Sequence, residues 1–336
     1  ASFRYVIMGT VGACFYLLSV GYLYIVTGSL NMADLARLLP PLYGSKVVLT
    51  AFAFFMVGIA VKMALFPLHV WLPDAYTKAP SAVSALVAPL MTKVSIYVMI
   101  RIMFTVFQPS FSIEFLPVTQ IMLVAGIIAI FAGALMALAQ KDFKRMLCYI
   151  VVAEVGYMVG GVGLANTVAL RGTVLHIAND VVMTAGLFAV AGIIAYKMRE
   201  HNLSDFKDLF KRMPFTMAAF VVIALSIIGV PPTGGFFSKW YLIQGALEAG
   251  SWLFVVALLS SSLINIILFF RIFEIGYGFH GGHGHHGEEA GEAAVIREAP
   301  LSMLLPLIIA AAAIVILGFY NQALMGNIIQ YAVPVL

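Results

Sequence analysis

The sequence contains little charge. Only 10% of its 336 residues are Asp, Glu, Lys or Arg, whereas 62% are hydrophobic. Soluble domains carry roughly 25% charged residues, because a water-facing surface needs them, so this composition excludes a soluble domain. The mean hydropathy of +1.03 agrees. The chain is therefore expected to lie in a lipid bilayer.

Cysteines and cofactor ligands are also scarce. Cys14 and Cys148 both fall within apolar runs, so no disulfide framework is predicted. Two separate cysteines cannot hold an iron–sulfur cluster, and no haem or flavin pattern is present, so no cofactor is expected in this chain. No metal site is assigned. The loop 278–300 allows two interpretations, a flexible linker or a metal-binding tract, because glycines there surround His280, His283, His285 and His286.

Nine apolar runs are long enough to cross a membrane. A bilayer core about 30 Å thick needs about 20 apolar residues per helix, and these runs are too continuous for barrel strands. The prediction is an all-α, polytopic membrane bundle of nine transmembrane helices. The runs are 4–26, 47–66, 81–104, 117–139, 147–165, 173–196, 215–246, 252–277 and 302–320.

The basic residues of the loops are unevenly distributed. If successive loops alternate between the two sides, twelve lysines and arginines fall on one side and four on the other. The positive-inside rule then predicts a cytoplasmic N-terminus and an outside C-terminus, in the inner (plasma) membrane of the cell. This asymmetry explains the formal charge of +4, so no nucleic-acid partner is expected. The basic segment 197–214 is expected to form a short amphipathic helix on the cytoplasmic surface.

Three lysines lie inside apolar runs, at positions 62, 93 and 239. A lysine at the bilayer centre costs about 2.5–3.5 kcal/mol on insertion scales. Desolvation favours the neutral amine and a nearby carboxylate favours the charged form, so Lys62, Lys93 and Lys239 are candidates for a proton relay.

Three further ionisable residues lie in the runs between these lysines. Glu154 sits in the middle of one run, and His176 and Asp180, four residues apart, share one helix face. Histidine titrates near neutral pH, which suits a relay. The alternative for His176 and Asp180 is a structural hydrogen-bonded pair that joins helices.

Two runs are interrupted by helix-breaking residues. Pro67 follows Lys62 in the second run, and Pro231 and Pro232 lie among glycines in the seventh. Broken helices at membrane depth line cavities or lie buried in protein, and paired breaks indicate ion sites in transporters. The alternative interpretation is two packing kinks.

His69 and Asp74 flank Trp71 beside the first break. They support the break, belong to an interfacial anchor, or serve as the acid and base of a membrane-embedded transferase.

The stretches 61–75 (VKMALFPLHVWLPDA) and 79–85 (APSAVSA) resemble the antiporter-like membrane subunits shared by respiratory complex I, Mrp-type cation/proton antiporters and membrane-bound hydrogenases. Further motifs of this family follow in order over essentially the whole chain. They are Lys93 in LMTKVSIY, 144–149 (KRMLCY), 176–188, and 229–239 (GVPPTGGFFSK).

The resemblance implies roles for the buried residues. Lys62 is similar to the central lysine of the first broken helix, Lys93 to the linking lysine, and Lys239 to the terminal lysine of the second broken helix, with His176 on the linking helix. The family has two inverted five-helix repeats. The expected units are 1–104 (three helices of the first repeat), 117–277 (the complete second repeat) and 278–336 (the His/Gly loop and a final helix). The first repeat begins earlier in the family, so the chain is expected to be N-terminally incomplete.

The function implied is translocation of protons, or of Na⁺ and H⁺, by one subunit of a multi-subunit energy-converting membrane complex. That complex resembles NADH–quinone oxidoreductase, an Mrp antiporter or a hydrogenase, and the expected partners are its other membrane subunits, including other antiporter-like ones. Redox chemistry would lie in those partners. A structural subunit with an inactive relay is the alternative.

Three positions depart from the family pattern. Asp180 stands where histidine is frequent, Thr184 where lysine is frequent, and Glu154 where a neutral residue is usual. We hypothesise that Glu154 modulates Lys239.

Overall fold

The computed structural model describes residues 1–198, 202–278 and 298–334. The regular structure in these ranges is helical, apart from one isolated bridge between Asp142 and Asn202. The histidines of the 278–300 loop lie outside the described residues. The principal helices are α1 Ser2–Thr27, α2 Met32–Leu38, α3 Lys46–Lys62, α4 Trp71–Lys78, α5 Ser81–Arg101, α6 Val118–Leu138, α7 Phe143–Gly163, α8 Thr167–Met198, α9 Leu209–Arg212, α10 Pro214–Ile228, α11 Gly234–Glu248, α12 Trp252–Tyr277 and α13 Leu301–Phe319.

Seven helices in the described ranges are long and apolar enough to cross a membrane. They are α1, α5 with the π-helical turn to Val106, α6, α7, α8, α12 and α13. The prediction of an all-helical, polytopic membrane fold is confirmed. The helices α3, α10 and α11 are shorter, because each ends or begins at a break.

The two helices with the most buried surfaces are α7 and α8. Nearly every residue of α7 is buried, whereas most of α1 is exposed. The long helix α8 packs against α5, α7, α11 and α13, and α6 packs along α7. Polar side chains on α7 and α8 are therefore shielded from lipid, where an unpaired charge is costly.

The first break lies between α3 and α4. The apolar run extends to residue 66, but α3 ends at Lys62 because Ala64 adopts a left-handed conformation with φ 57°. An alanine in the sequence does not indicate a left-handed conformation. The Trp71 indole donates a hydrogen bond to the Val61 carbonyl at 2.9 Å, so the start of α4 is tied to the end of α3.

The second break lies between α10 and α11. Gly229 ends α10 in the left-handed region with φ 95°, which glycine adopts without steric cost. A short turn follows, in which the Thr233 amide and hydroxyl both donate to the Val230 carbonyl, at 3.2 and 2.6 Å. The breaks expected around Pro67 and around Pro231 and Pro232 are therefore present.

In the described residues of the basic segment 197–214, the single amphipathic helix expected of it is not formed. The structure shows instead two single turns, Leu203–Phe206 and Leu209–Arg212. They are separated because Asp208 has φ 60°, which a continuous right-handed helix excludes.

Candidate functional site

Lys93 and Asp180 form a buried ion pair between α5 and α8. The Lys93 Nζ lies 2.8 Å from the Asp180 Oδ2, and the two side chains are 1% and 0% exposed. The Thr184 hydroxyl completes the group: it donates to Asp180 Oδ1 at 2.9 Å and accepts from Lys93 Nζ at 3.3 Å. Because both charges are removed from water, each depends on the other.

A second group links α7, α8 and α11. Glu154 Oε2 lies 2.7 Å from His176 Nε2, and His176 Nδ1 lies 2.9 Å from the Ser238 hydroxyl. All three side chains are buried. The imidazole can receive a proton at one nitrogen and release one from the other, so this arrangement can pass a proton between α7 and α11.

Lys239 occupies a third group, beside the second break. Its Nζ donates to the Ile227 carbonyl at 2.6 Å and to the Ser262 hydroxyl at 3.2 Å. The ammonium also lies 4.9 Å from the centre of the Tyr157 ring, within range of a cation–π interaction. Its acceptors are neutral, so Lys239 differs from Lys93, which has its own carboxylate.

The helix α8 connects these groups. His176 and Asp180 do not bond to each other: His176 bonds to α7 and α11, whereas Asp180 pairs with α5. The two residues are about 6 Å apart along the α8 axis. Asn179, between them, donates from Nδ2 to the Gly234 carbonyl at 2.7 Å and so holds the first residue of α11.

Lys62 stands apart from the other two lysines. It is the last residue of α3, partly exposed, and lines a small crevice with Tyr5, Gly9 and Trp71. In the part of the chain that the structure describes, its ammonium makes no ion pair or hydrogen bond. Glu154, for its part, contacts His176 rather than Lys239.

His69 and Asp74 have different neighbours. His69 is buried and stacks on Phe66, with a ring-centre distance of 5.1 Å. Asp74 pairs with Arg4 of α1 and lies 3.8 Å from Arg145 of α7. The transferase alternative gains no support from this arrangement, and Asp74 instead ties α4 to two other helices.

We expect Asp74→Asn to lower stability by less than about 1 kcal/mol, because partly exposed ion pairs are screened by water and salt. The measurement is the thermal stability of the purified protein at low and high salt. Asp208→Asn, which removes the 3.5 Å pair with Lys211, serves as control. A loss much larger than that of the control, and unaffected by salt, would contradict this interpretation.

Several polar residues of the site carry no strong sequence signal. Ser238, Ser262 and Asn179 look like ordinary helix residues, since serine and asparagine in membrane helices often bond to their own backbone or join helices. Lys144 belongs to one of the family motifs without a predicted role, yet it is buried and donates to the Ala79 carbonyl at 2.9 Å, at the end of α4. Spacing gives the one usable hint: Gly234 and Ser238 share a face of α11, as His176 and Asn179 do on α8.

A polytopic helical membrane protein with two broken helices and buried lysines on three of its helices has the features of an antiporter-like membrane subunit. Residues 1–265 match the family model described as NADH:quinone oxidoreductase/Mrp antiporter, transmembrane. The chain belongs to this family, which confirms the resemblance inferred from the sequence motifs.

Two named relatives align with nearly the whole chain. It is 47% identical to NADH-quinone oxidoreductase subunit N of Desulforudis audaxviator, over 99% of this chain and 67% of that protein. It is 34% identical to the D subunit of the Na(+)/H(+) antiporter of Alkalihalophilus pseudofirmus, over 100% of this chain and 66% of that protein.

A solved structure shares the fold. A chain of the Mrp complex from Dietzia sp. DQ12-45-1b matches 98% of this chain, and 67% of its own length, with a TM-score of 0.86. At 24% identity this likeness concerns the fold alone. The chain spans about two thirds of the length of these relatives.

Proposed function

We propose that this chain translocates protons, or exchanges Na⁺ for H⁺, as an antiporter-like subunit of a multi-subunit energy-converting membrane complex. The observation that carries the proposal is the row of buried ionisable groups across α5, α7, α8 and α11. Lys93 with Asp180, His176 with Glu154, and Lys239 lie in the interior of the bundle, where burying charge without a function is costly.

The proposed path runs along α8. A proton taken up at Lys62 would pass to the Lys93–Asp180 group and then to Glu154, cross the His176 imidazole from Nε2 to Nδ1, and continue through the Ser238 hydroxyl toward Lys239. The neutral acceptors of Lys239 allow its amine to release a proton without abandoning a buried carboxylate partner. Water in the broken-helix regions would bridge the gaps between groups.

The proposed topology follows from the same arrangement of helices. The seven long helices, with α3–α4 and α10–α11 each counted as one broken span, give nine crossings. We assign residues 1–104 to three helices of a first repeat, 117–277 to a complete second, inverted repeat, and 278–336 to the His/Gly loop and final helix. The N-terminus is placed in the cytoplasm. The partners are the complex's other membrane subunits, and redox chemistry resides in them.

One observation favours a second candidate, a structural subunit with an inactive relay. Lys62 has no partner in the described part of the chain, and a relay with an uncompensated entry lysine can lose activity while the bundle remains intact.

Ion flux through the intact complex in liposomes tests both candidates. We expect Lys62→Ala to lower flux at least about tenfold while assembly on native gels is retained, because removing an unpaired lysine strands no buried carboxylate. Lys46→Ala, at the exposed opposite end of α3, should behave like wild type. Undiminished flux in Lys62→Ala, with Lys46→Ala equally active, would support the inactive-relay candidate.

A further inference from the structure

The helix α13 follows residues 1–265, the part of the chain that matches the family model. The chain contacts the second broken helix at both ends of α13. The helix packs against α8, α10 and α11, of which α10 carries the Ile227 carbonyl and α11 carries Lys239. Two residues make specific contacts there: Glu298, whose carboxylate lies just before α13, and Gly318, near the end of α13.

The first contact is made by Glu298, three residues before α13. Its Oε2 accepts the Phe215 amide at 2.8 Å and the Thr216 amide at 3.4 Å, and its Oε1 accepts the Thr216 hydroxyl at 2.6 Å. The residue at the N-cap of α10, Met213, provides no side-chain cap of its own. Glu298 therefore supplies the missing cap from a distant part of the chain, and its negative charge suits a helix N-terminus.

The second contact is made by Gly318, near the end of α13. It is buried against the turn of the second break, so that a Cβ added there would overlap the Pro232 carbonyl oxygen. The same Cβ would lie 2.8 Å from the carbonyl carbons of Pro232 and Thr233. Because the atoms in the way belong to the backbone, the turn itself would have to move.

That turn is linked to Lys239 by short contacts. The Thr233–Val230 hydrogen bonds make it compact, and Asn179 holds its far end at Gly234. Its near end begins at Gly229, where an added Cβ would lie 3.3 Å from Cδ of Lys239. A displacement of Pro232 would therefore reach the Ile227 carbonyl that accepts from Lys239 Nζ.

We propose that α13 is a brace for the second break, and that Glu298 and Gly318 are positioning residues that keep the Ile227 carbonyl in place for Lys239. The proposal rests on the function proposed above. It assigns a role in ion translocation to residues that touch no ion, and it makes the final helix part of the transport machinery.

The first test compares Gly318→Ala with Gly326→Ala in the intact complex. Gly326 is the matched control, because a Cβ there meets nothing within 4 Å. We expect Gly318→Ala to speed amide hydrogen exchange at Val230, Thr233 and Gly235 at least about tenfold and to move the pH of half-maximal flux by about one unit. Gly326→Ala should leave both unchanged. Equal exchange and equal pH profiles in the two variants would overturn the brace.

The second test uses Glu298→Gln, with the exposed Glu114→Gln as its control. The amide keeps one acceptor and loses the charge, so we expect a smaller change in the same direction, about threefold in exchange at the same amides. If the Gly318→Ala protein does not accumulate, the test depends on Glu298→Gln alone. Exchange rates and a pH profile of flux identical to those of Glu114→Gln would then overturn the proposal.

The brace and the proposed function fail in different ways. If Lys239→Ala leaves flux intact, the relay is wrong, whatever the exchange data show. If Lys239→Ala abolishes flux but Gly318→Ala and Glu298→Gln match their controls, only the brace is wrong.

Discussion

Asp180→Asn is expected to lower the amount of assembled protein sharply and to abolish transport in what remains. The substitution keeps the shape of the side chain but leaves Lys93 as an unpaired cation in a site that is 1% exposed. Removing one partner of a buried pair costs about 3–5 kcal/mol, which corresponds to a change of at least about a hundredfold in a folding equilibrium. The measurements are the yield of complex on native gels and ion flux in liposomes.

A double variant separates stability from transport. Replacing both charges, in Lys93→Met with Asp180→Leu, removes the unpaired charge and should restore assembly, because apolar pairs often replace buried ion pairs without loss. Transport should stay absent, since the relay group is gone. Asp34→Asn, which breaks the exposed 3.9 Å pair with Arg37, is the matched control and should change neither quantity. An Asp180→Asn protein that assembles and transports like wild type would show that the buried pair is dispensable.

Glu154→Gln is expected to have the second largest effect, this time on transport alone. Glutamine is nearly isosteric and can still hydrogen-bond to His176, so assembly should be retained. The Glu154 carboxylate lies 2.7 Å from Nε2 and can exchange a proton with the imidazole, whereas an amide cannot. We expect flux at neutral pH to fall about a hundredfold, within the range ascribed to a positioned acid–base group.

The control for this variant is Glu248→Gln, an exposed glutamate at the end of α11. It should transport with the wild-type pH profile. The hypothesis from the sequence is that Glu154 modulates Lys239, and the route proposed for it runs through His176 and Ser238, the residue that precedes Lys239. Unchanged flux and unchanged pH dependence in Glu154→Gln would refute both the hypothesis and this route.

Much of the fold could be predicted because its signals are local. In the described ranges, seven of the nine apolar runs correspond to helices long and apolar enough to cross a membrane, and Gly229 with Pro231 and Pro232 indicates the second break directly. The first break was located less well. Its helix ends at Lys62 rather than beside Pro67, since Ala64, which turns the chain, has no side chain that signals a left-handed conformation.

The partners of the buried residues could not be predicted in the same way. The cost of placing a lysine in an apolar run makes Lys62, Lys93 and Lys239 candidates from the sequence alone, but which carboxylate faces which cation depends on how the helices are rotated about their axes. Asp180 pairs with Lys93 of α5, and His176 pairs with Glu154 of α7. The spacing of four residues would equally have permitted His176 and Asp180 to pair with each other. The role of Glu298 could not be predicted from the sequence, because the residues of α10 that it caps lie 82 and 83 positions away in the chain.

The continuity of α8 has a consequence for how the relay switches. The helix runs for 32 residues without interruption, about 48 Å, while the hydrocarbon core is about 30 Å thick. Asp180, His176 and Asn179 therefore lie on one continuous helix. If α8 slid along its axis or rotated about it, its contacts with α5, α7 and α11 would break together, so such a motion could not open one contact while closing the next. The proton steps proposed above would then require small, independent rotations of single side chains on a helix that does not move.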